Sequence, residues 1–260
     1  METTIMEGGY CLPSKGLIYE KQVEPLIELR SMTTREEMKR LSPSNTPYKV
    51  LADIIESCML EKPAIKVYDM CLADYEYLLH KLRVVSYGPR YTVIAGCPHC
   101  GNTFEKTIDL DELEVKEYNQ EEVADLMSFT LPKSGDKITI RYKTPRMLDE
   151  IELAKKEFKK KNPAVDWDPS IMIELRYLIE TVNGDVLNYA QLDSYIQKLL
   201  ALDMRYILDK SLKLEQSFGL NTLVTLNCSQ CGGEVITFFR NGQDFFRPEF
   251  DWWWKALCTS

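Results

Sequence analysis

Apolar residues recur along this chain at two periods, and each period marks a different element. The clearest 3.6-residue stripe is Val50, Leu51, Ile54, Ile55 and Cys58. It predicts a helix with one buried face, opened by Thr46 as cap and Pro47 at the first helical position. A second stripe, Tyr75, Leu78, Leu79, Leu82 and Val85, predicts a helix from Leu72 that Gly88 and Pro89 stop. Asp69, Asp74 and Glu76 near its start read as helix-start charges. Upstream, Thr34-Arg35-Glu36-Glu37 reads as a capping box for a shorter helix, with Met38 and Leu41 as its apolar face. Residues 8–31 read as extended, with a turn at Pro13-Ser14-Lys15-Gly16 and strands at Ile18-Tyr19 and 25–30.

Two pairs of strand-like runs follow a different rule. Residues 90–94 and 103–108 enclose Cys97-Pro98-His99-Cys100-Gly101, and residues 223–226 and 235–239 enclose Cys228-Ser229-Gln230-Cys231-Gly232. Each is a hairpin with a Cys-x-x-Cys turn and a glycine just after the second cysteine, where a metal knuckle favours positive φ. Two such halves supply four thiolates in tetrahedral array, the donor set of a closed structural zinc site holding one Zn²⁺. The competing readings are two redox or disulfide pairs, or reduced cysteines that simply pack. In a compact ribbon the pairs lie about 15–20 residues apart, whereas 127 residues separate Cys100 from Cys228. Loop-closure entropy grows only logarithmically with length, so a ribbon split by a long insertion is physically acceptable. His99 sits inside its turn and reads as exposed, not as a ligand.

The insertion, 109–222, opens with an acidic, irregular stretch, 109–114. A hairpin is expected from 127–131 and 137–142 around a turn at 133–136. Helices should follow from Thr144-Pro145 to Lys161, over 171–182 up to Asn183-Gly184, and over 189–218 with a break near Leu202. The basic run from Lys155 to Lys161 would end the first of these, where cations meet the helix dipole favourably.

Charge narrows the function. The net charge of −8 argues against a nucleic-acid partner, which usually meets a basic face. No run approaches the eighteen or more apolar residues of a membrane span, and the acidic first residues do not read as a signal peptide. The remaining cysteines, Cys11, Cys58, Cys71 and Cys258, show no pairing pattern, which fits a reducing cytoplasm. His80 and His99, the two histidines, lie in no catalytic arrangement, and pairs such as Asp149-Glu150 read as solvated helix charges. No phosphate loop or dinucleotide fingerprint occurs, so neither an enzyme nor a small-molecule substrate is expected. The aromatic tail, Phe245, Phe246, Phe250, Trp252, Trp253 and Trp254, either wraps its own domain or anchors a partner.

Several segments resemble one family. Leu12-Pro13-Ser14-Lys15-Gly16, residues 27–37, residues 78–88 leading into Cys97-Pro98-His99-Cys100, and the closing Phe245-Phe246-Arg247-Pro248 are similar to the T4-type bacteriophage baseplate hub and assembly proteins. The resemblance implies a non-enzymatic protein of a contractile tail, made in the host cytoplasm and carried in the virion baseplate near the hub. Its partners would be other tail proteins. Phe245, Phe246, Trp252, Trp253 and Trp254 are then the expected partner contacts, with Cys97, Cys100, Cys228 and Cys231 as the metal ligands. A transient assembly chaperone, or a zinc-ribbon adaptor in transcription or replication, is the alternative. The expected fold is α+β: a split zinc-ribbon-like hairpin pair, N-terminal α/β elements and a helix-rich insertion. The parts are residues 1–108 with the first knuckle, 109–222, and 223–260 with the second knuckle and the tail.

Overall fold

The computed structural model describes residues 9–238 and 243–246, an α+β chain in which every described sheet is small and antiparallel. Strands β1 (Tyr10–Cys11) and β2 (Leu26–Ile27) pair first. Helices α1 (Thr34–Leu41), α2 (Pro47–Cys58) and α3 (Leu72–Tyr87) follow. The predicted stripes of α2 and α3 meet in one core, where Ile54, Ile55, Cys58, Leu78 and Leu82 are almost fully buried. Gly88 ends α3 at φ 85, as its position required.

Polar residues in this region behave differently from expectation. The strand expected at Ile18-Tyr19 is a turn, because Tyr19 is used as a polar post: its hydroxyl donates to Asp74 at 2.6 Å. Asp74 is no solvated helix-start charge. It is fully buried and also accepts the Ser14 N–H at 3.0 Å. The capping box of α1 is shifted back by one residue, to Thr33 and Glu36. Arg30 fixes that register by donating to Glu36 at 2.9 Å, and holds the Glu36 carboxyl down to about 2. Met38 and Leu41, the expected inner face, are each 67% exposed.

Strands β3 (Arg90–Gly96) and β4 (Thr103–Asp109) form the first hairpin where it is expected, with Arg90 opposite Asp109 and Gly96 opposite Thr103. The insertion then departs from expectation in two places. Helix α4 (Gln120–Met127) occupies part of the stretch assigned no element, capped by the Asn119 side chain. The hairpin of β6 (Ser128–Thr130) and β7 (Lys137–Ile140) gains a third strand, β8 (Ile179–Val182), where a continuing helix was expected. The reason lies across the sheet. Ile179 pairs with Ile140 and Val182 with Ile138, burying β-branched residues that a strand accommodates better than a helix end. Helices α5 (Pro145–Lys161) and α6 (Ser170–Leu178) lie between β7 and β8 in sequence, and α7 (Tyr189–Lys198) and α8 (Ala201–Ser217) follow the sheet. Thr144 caps α5, and the α7–α8 break falls at Leu199-Leu200. Leu126, Ile138, Ile140, Leu178 and Ile207 centre this second core.

Strands β5 (Val115–Lys116) and β9 (Gly219–Leu220) pair at the mouth of the insertion and bring its two ends together. Two further buried aspartates act as backbone staples. Asp149, on α5, accepts the N–H of Lys49 at 2.9 Å and of Tyr48 at 3.3 Å, at the start of α2. It was expected in solvent and is 1% exposed. Asp203 accepts the Lys133 and Ser134 N–H groups, each at 2.9 Å. Free N–H groups at a helix start or a turn favour an anion there, which is why these carboxylates are tolerated inside.

Glu76 carries a different charge problem. Half-buried on α3 beside Glu215 of α8, it is pushed up to about 7, first by burial and then by the Glu215 charge. The unfolded chain releases this proton near 4.5, the ordinary value. Between about pH 4.5 and 7 the folded state therefore binds more protons than the unfolded one, and stability falls as pH rises. Glu76→Gln should leave the melting temperature unchanged near pH 4.5 and raise it at pH 8, by roughly 2–3 kcal/mol in stability. Equal effects at both pH values would disprove this.

Candidate metal centre

Four cysteines from opposite ends of the chain converge on one point. β10 (Leu223–Asn227) and β11 (Glu234–Phe238) form the second hairpin, and its inner face packs on that of β3–β4. Val93, Ala95 and Phe104 from the first hairpin and Val224, Leu226 and Val235 from the second bury one another. This small apolar layer sets the two Cys-x-x-Cys turns facing each other. Within each turn the backbone closes on itself: the Gly101 N–H donates to the Cys97 carbonyl and the Gly232 N–H to the Cys228 carbonyl, both at 2.9 Å. Gly101 at φ 74 and Gly232 at φ 70 occupy the left-handed region that L side chains resist.

The four Sγ atoms of Cys97, Cys100, Cys228 and Cys231 all lie within 4.8 Å of one another. Cys97 and Cys231 sulfurs are 3.6 Å apart, and Cys100 and Cys228 sulfurs 3.7 Å. A disulfide would need about 2.05 Å. Tetrahedral Zn–S bonds of about 2.3 Å place sulfurs roughly 3.8 Å apart, so the spacing fits one four-coordinate ion. The arrangement brings all four predicted ligands together and can bind one metal ion. Cys97 and Cys228 are buried, while Cys100 and Cys231 face outward.

The electrostatics also ask for a cation. Cys228 is held down at about 6, chiefly by the backbone N–H groups of Cys231 and Gln230. For Cys100 the Asn102 N–H favours the thiolate, but desolvation and the three neighbouring sulfurs prevail and push it up to about 12. Crowded thiols share protons because adjacent thiolates repel; a bound divalent ion removes that conflict. His99 is exposed, as expected, with Nε2 3.2 Å from the Glu234 carbonyl, a contact that links the two knuckles.

The remaining predicted site residues fare differently. Phe245 and Phe246 are 0% and 3% exposed and belong to the N-terminal core, which corrects their reading as surface contacts. Phe245 lies 5.6 Å from the Tyr91 ring, 6.0 Å from His80 and 5.4 Å from Phe246. Its carbonyl accepts from Arg83 Nε at 3.3 Å, and the buried guanidinium also donates to the Gly88 and Arg90 carbonyls. Apolar burial thus claims both rings, and Arg83 holds the Phe245 backbone. His80 is buried in the same place and pushed down to about 3, mainly by burial, which keeps it neutral. Trp252, Trp253 and Trp254 lie outside the described residues. The sequence held no distinctive signal for Arg83 or the three buried aspartates, whose identities match ordinary surface charges.

With the split ribbon and its cysteine cluster established, the family follows from the sequence itself. Residues 10–247 match the sequence profile of the family described as T4 bacteriophage base plate protein. The chain belongs to that family. Membership carries a structural or assembly role in the phage baseplate, with other tail proteins as neighbours and the tail of the virion as location. No curated protein and no solved structure matches the chain. Among the described residues, no helix is long and apolar enough to cross a membrane.

Proposed function

We propose that this baseplate protein is a non-enzymatic component of the hub region, folded around one structural Zn²⁺ and acting by binding other tail proteins. The observation that supports the reading most directly is the closed set of four thiols. Four protein ligands leave no open coordination position for a substrate or an activated water, so the ion would serve the fold. In this reading residues 109–222 are an insertion, and the metal fastens 1–108 to 223–260 at its mouth. The adaptor alternative is less well supported. The ribbon strands carry Arg90 and Lys106 against Glu105, Asp109 and Glu234, which makes no basic stripe on the ribbon.

We assign partner contacts to Trp252, Trp253 and Trp254, which follow the buried Phe245 and Phe246 in the sequence. A tryptophan at an interface hot spot contributes about 2 kcal/mol or more. Replacing all three by alanine should stop incorporation into baseplates while the isolated protein keeps its melting temperature and metal content. Normal incorporation would show that the tail only packs on its own chain. Mass spectrometry of purified particles tests the role as a whole. One zinc-loaded copy set per baseplate is expected, whereas a transient chaperone would be present during assembly and missing from finished particles.

A further inference from the structure

We propose that the corner formed by α1 and the start of α2 is a docking surface for an apolar, acid-flanked segment of a different baseplate protein. This rests on the assembly role above and names where a neighbour binds. The first observation is that α1 is turned inside out. Its apolar residues Met38 and Leu41 face solvent, and Glu36 is the residue buried beneath it. An eight-residue helix is not stable by itself. Here it is held by polar ties on the inner side, Arg30 to Glu36 at 2.9 Å and the Glu36 carboxylate on the Thr33 N–H at 2.8 Å. The core makes no use of Met38 or Leu41, so their exposure is not a by-product of packing.

The second observation is a groove beside them. Leu41 forms one rim of a 520 Å³ depression whose walls include Pro43, Pro47, Val50 and Leu51, with Phe246 closing the floor. That volume suits one or two large apolar side chains, and the exposed Met38–Leu41 ridge extends the surface outward. The third is charge. Residues 30–53 hold five Lys and Arg against three Asp and Glu, a net +2 within a chain of −8. Arg35 is exposed at this corner and has no ion pair among the described residues. Acidic groups flanking the docked segment complement this corner, which sets the chemistry of the occupant. Two copies meeting corner to corner about a two-fold axis would instead oppose +2 with +2. A different chain is therefore the fitting occupant.

The test uses the full-length chain with the photoreactive residue p-benzoylphenylalanine at position 38 or 41, irradiated during baseplate assembly, with the cross-linked peptides sequenced. The expected product joins this corner to a different baseplate protein, on a peptide whose apolar residues are flanked by Asp or Glu. In parallel, M38D/L41D should lower incorporation by at least about tenfold with unchanged melting temperature and zinc content. R35E should weaken incorporation in a salt-dependent way. If M38D/L41D shifts the melting temperature, M38Q/L41Q replaces it, with the same loss expected. Cross-links confined to this chain's own residues 247–260 or to a second copy would overturn the proposal, as would unimpaired incorporation of the variants. A wild-type chain that never associates with tail proteins would refute the assembly role itself, a result distinct from loss at positions 38 and 41 alone.

Discussion

Replacing Cys228 by serine is expected to release the metal and destabilise the first third of the chain along with the last fifth. The four proposed ligands come from two turns whose cysteines Cys100 and Cys228 are separated by 127 residues of sequence, so one lost thiolate opens the contact between them. Structural zinc binding is coupled to folding, and its apparent free energy in small zinc domains reaches about 10–16 kcal/mol. Part of the ribbon's stability comes from its own apolar layer, Val93, Phe104, Val224 and Val235 among others, and survives the substitution. A loss of about 5 kcal/mol is therefore expected, or a fall of roughly 10–20 °C in melting temperature for a chain of this size. Elemental analysis should find one zinc per wild-type chain and almost none in the variant. Strong chelation of the wild type should reproduce the thermal shift. A chelated protein that melts where the untreated one does would end the structural-zinc reading.

Phe245→Ala is expected to cost about 3–5 kcal/mol, the range for deleting a fully buried phenylalanine side chain. The ring is completely enclosed by Tyr91, His80 and Phe246, and the carbonyl of the same residue accepts from the buried Arg83. The loss would be a large fraction of the 5–15 kcal/mol that typical domains possess. Zinc stoichiometry should stay at one, because the cysteines sit in a separate apolar layer. Calorimetry and elemental analysis of the same sample separate this effect from that of Cys228→Ser. A change below about 1 kcal/mol would show that the C-terminal turn does not belong to the N-terminal core.

The two substitutions probe features of different legibility. The four clustered cysteines could be read from spacing alone, since Cys-x-x-Cys followed by glycine has few physical uses and occurs twice. Convergence of the two turns was an inference from chemistry, and the Sγ positions agree with it. Composition left Phe245 and Phe246 open between self-packing and partner contact, and the family resemblance favoured the partner, because an aromatic cluster near a terminus looks the same whether it is covered by its own core or by another chain. Only the tertiary arrangement of α3, β3 and the 3₁₀ turn at Gln243–Phe246 put them inside.

Periodicity determined the helices α2 and α3; start and stop signals added α5 and the α7–α8 region, and strand-like runs around turns added the paired hairpins and with them the α+β class. Periodicity could not determine α1. There the local pattern Met38-x-x-Leu41 pointed inward, but the pull of Arg30, outside the helix, on Glu36 and the earlier cap at Thr33 set the opposite face. It could not assign β8 either, since four apolar-rich residues after a helix become a strand only when β7 offers a free edge. The buried Asp74, Asp149 and Asp203 are the same case in polar form. A carboxylate is read as solvated until a turn or helix start, brought from 60 to 101 residues away, presents its unpaired N–H groups. Sequence periodicity reports what each segment would bury; which polar groups meet in the interior depends on distant backbone, and only the folded chain supplies it.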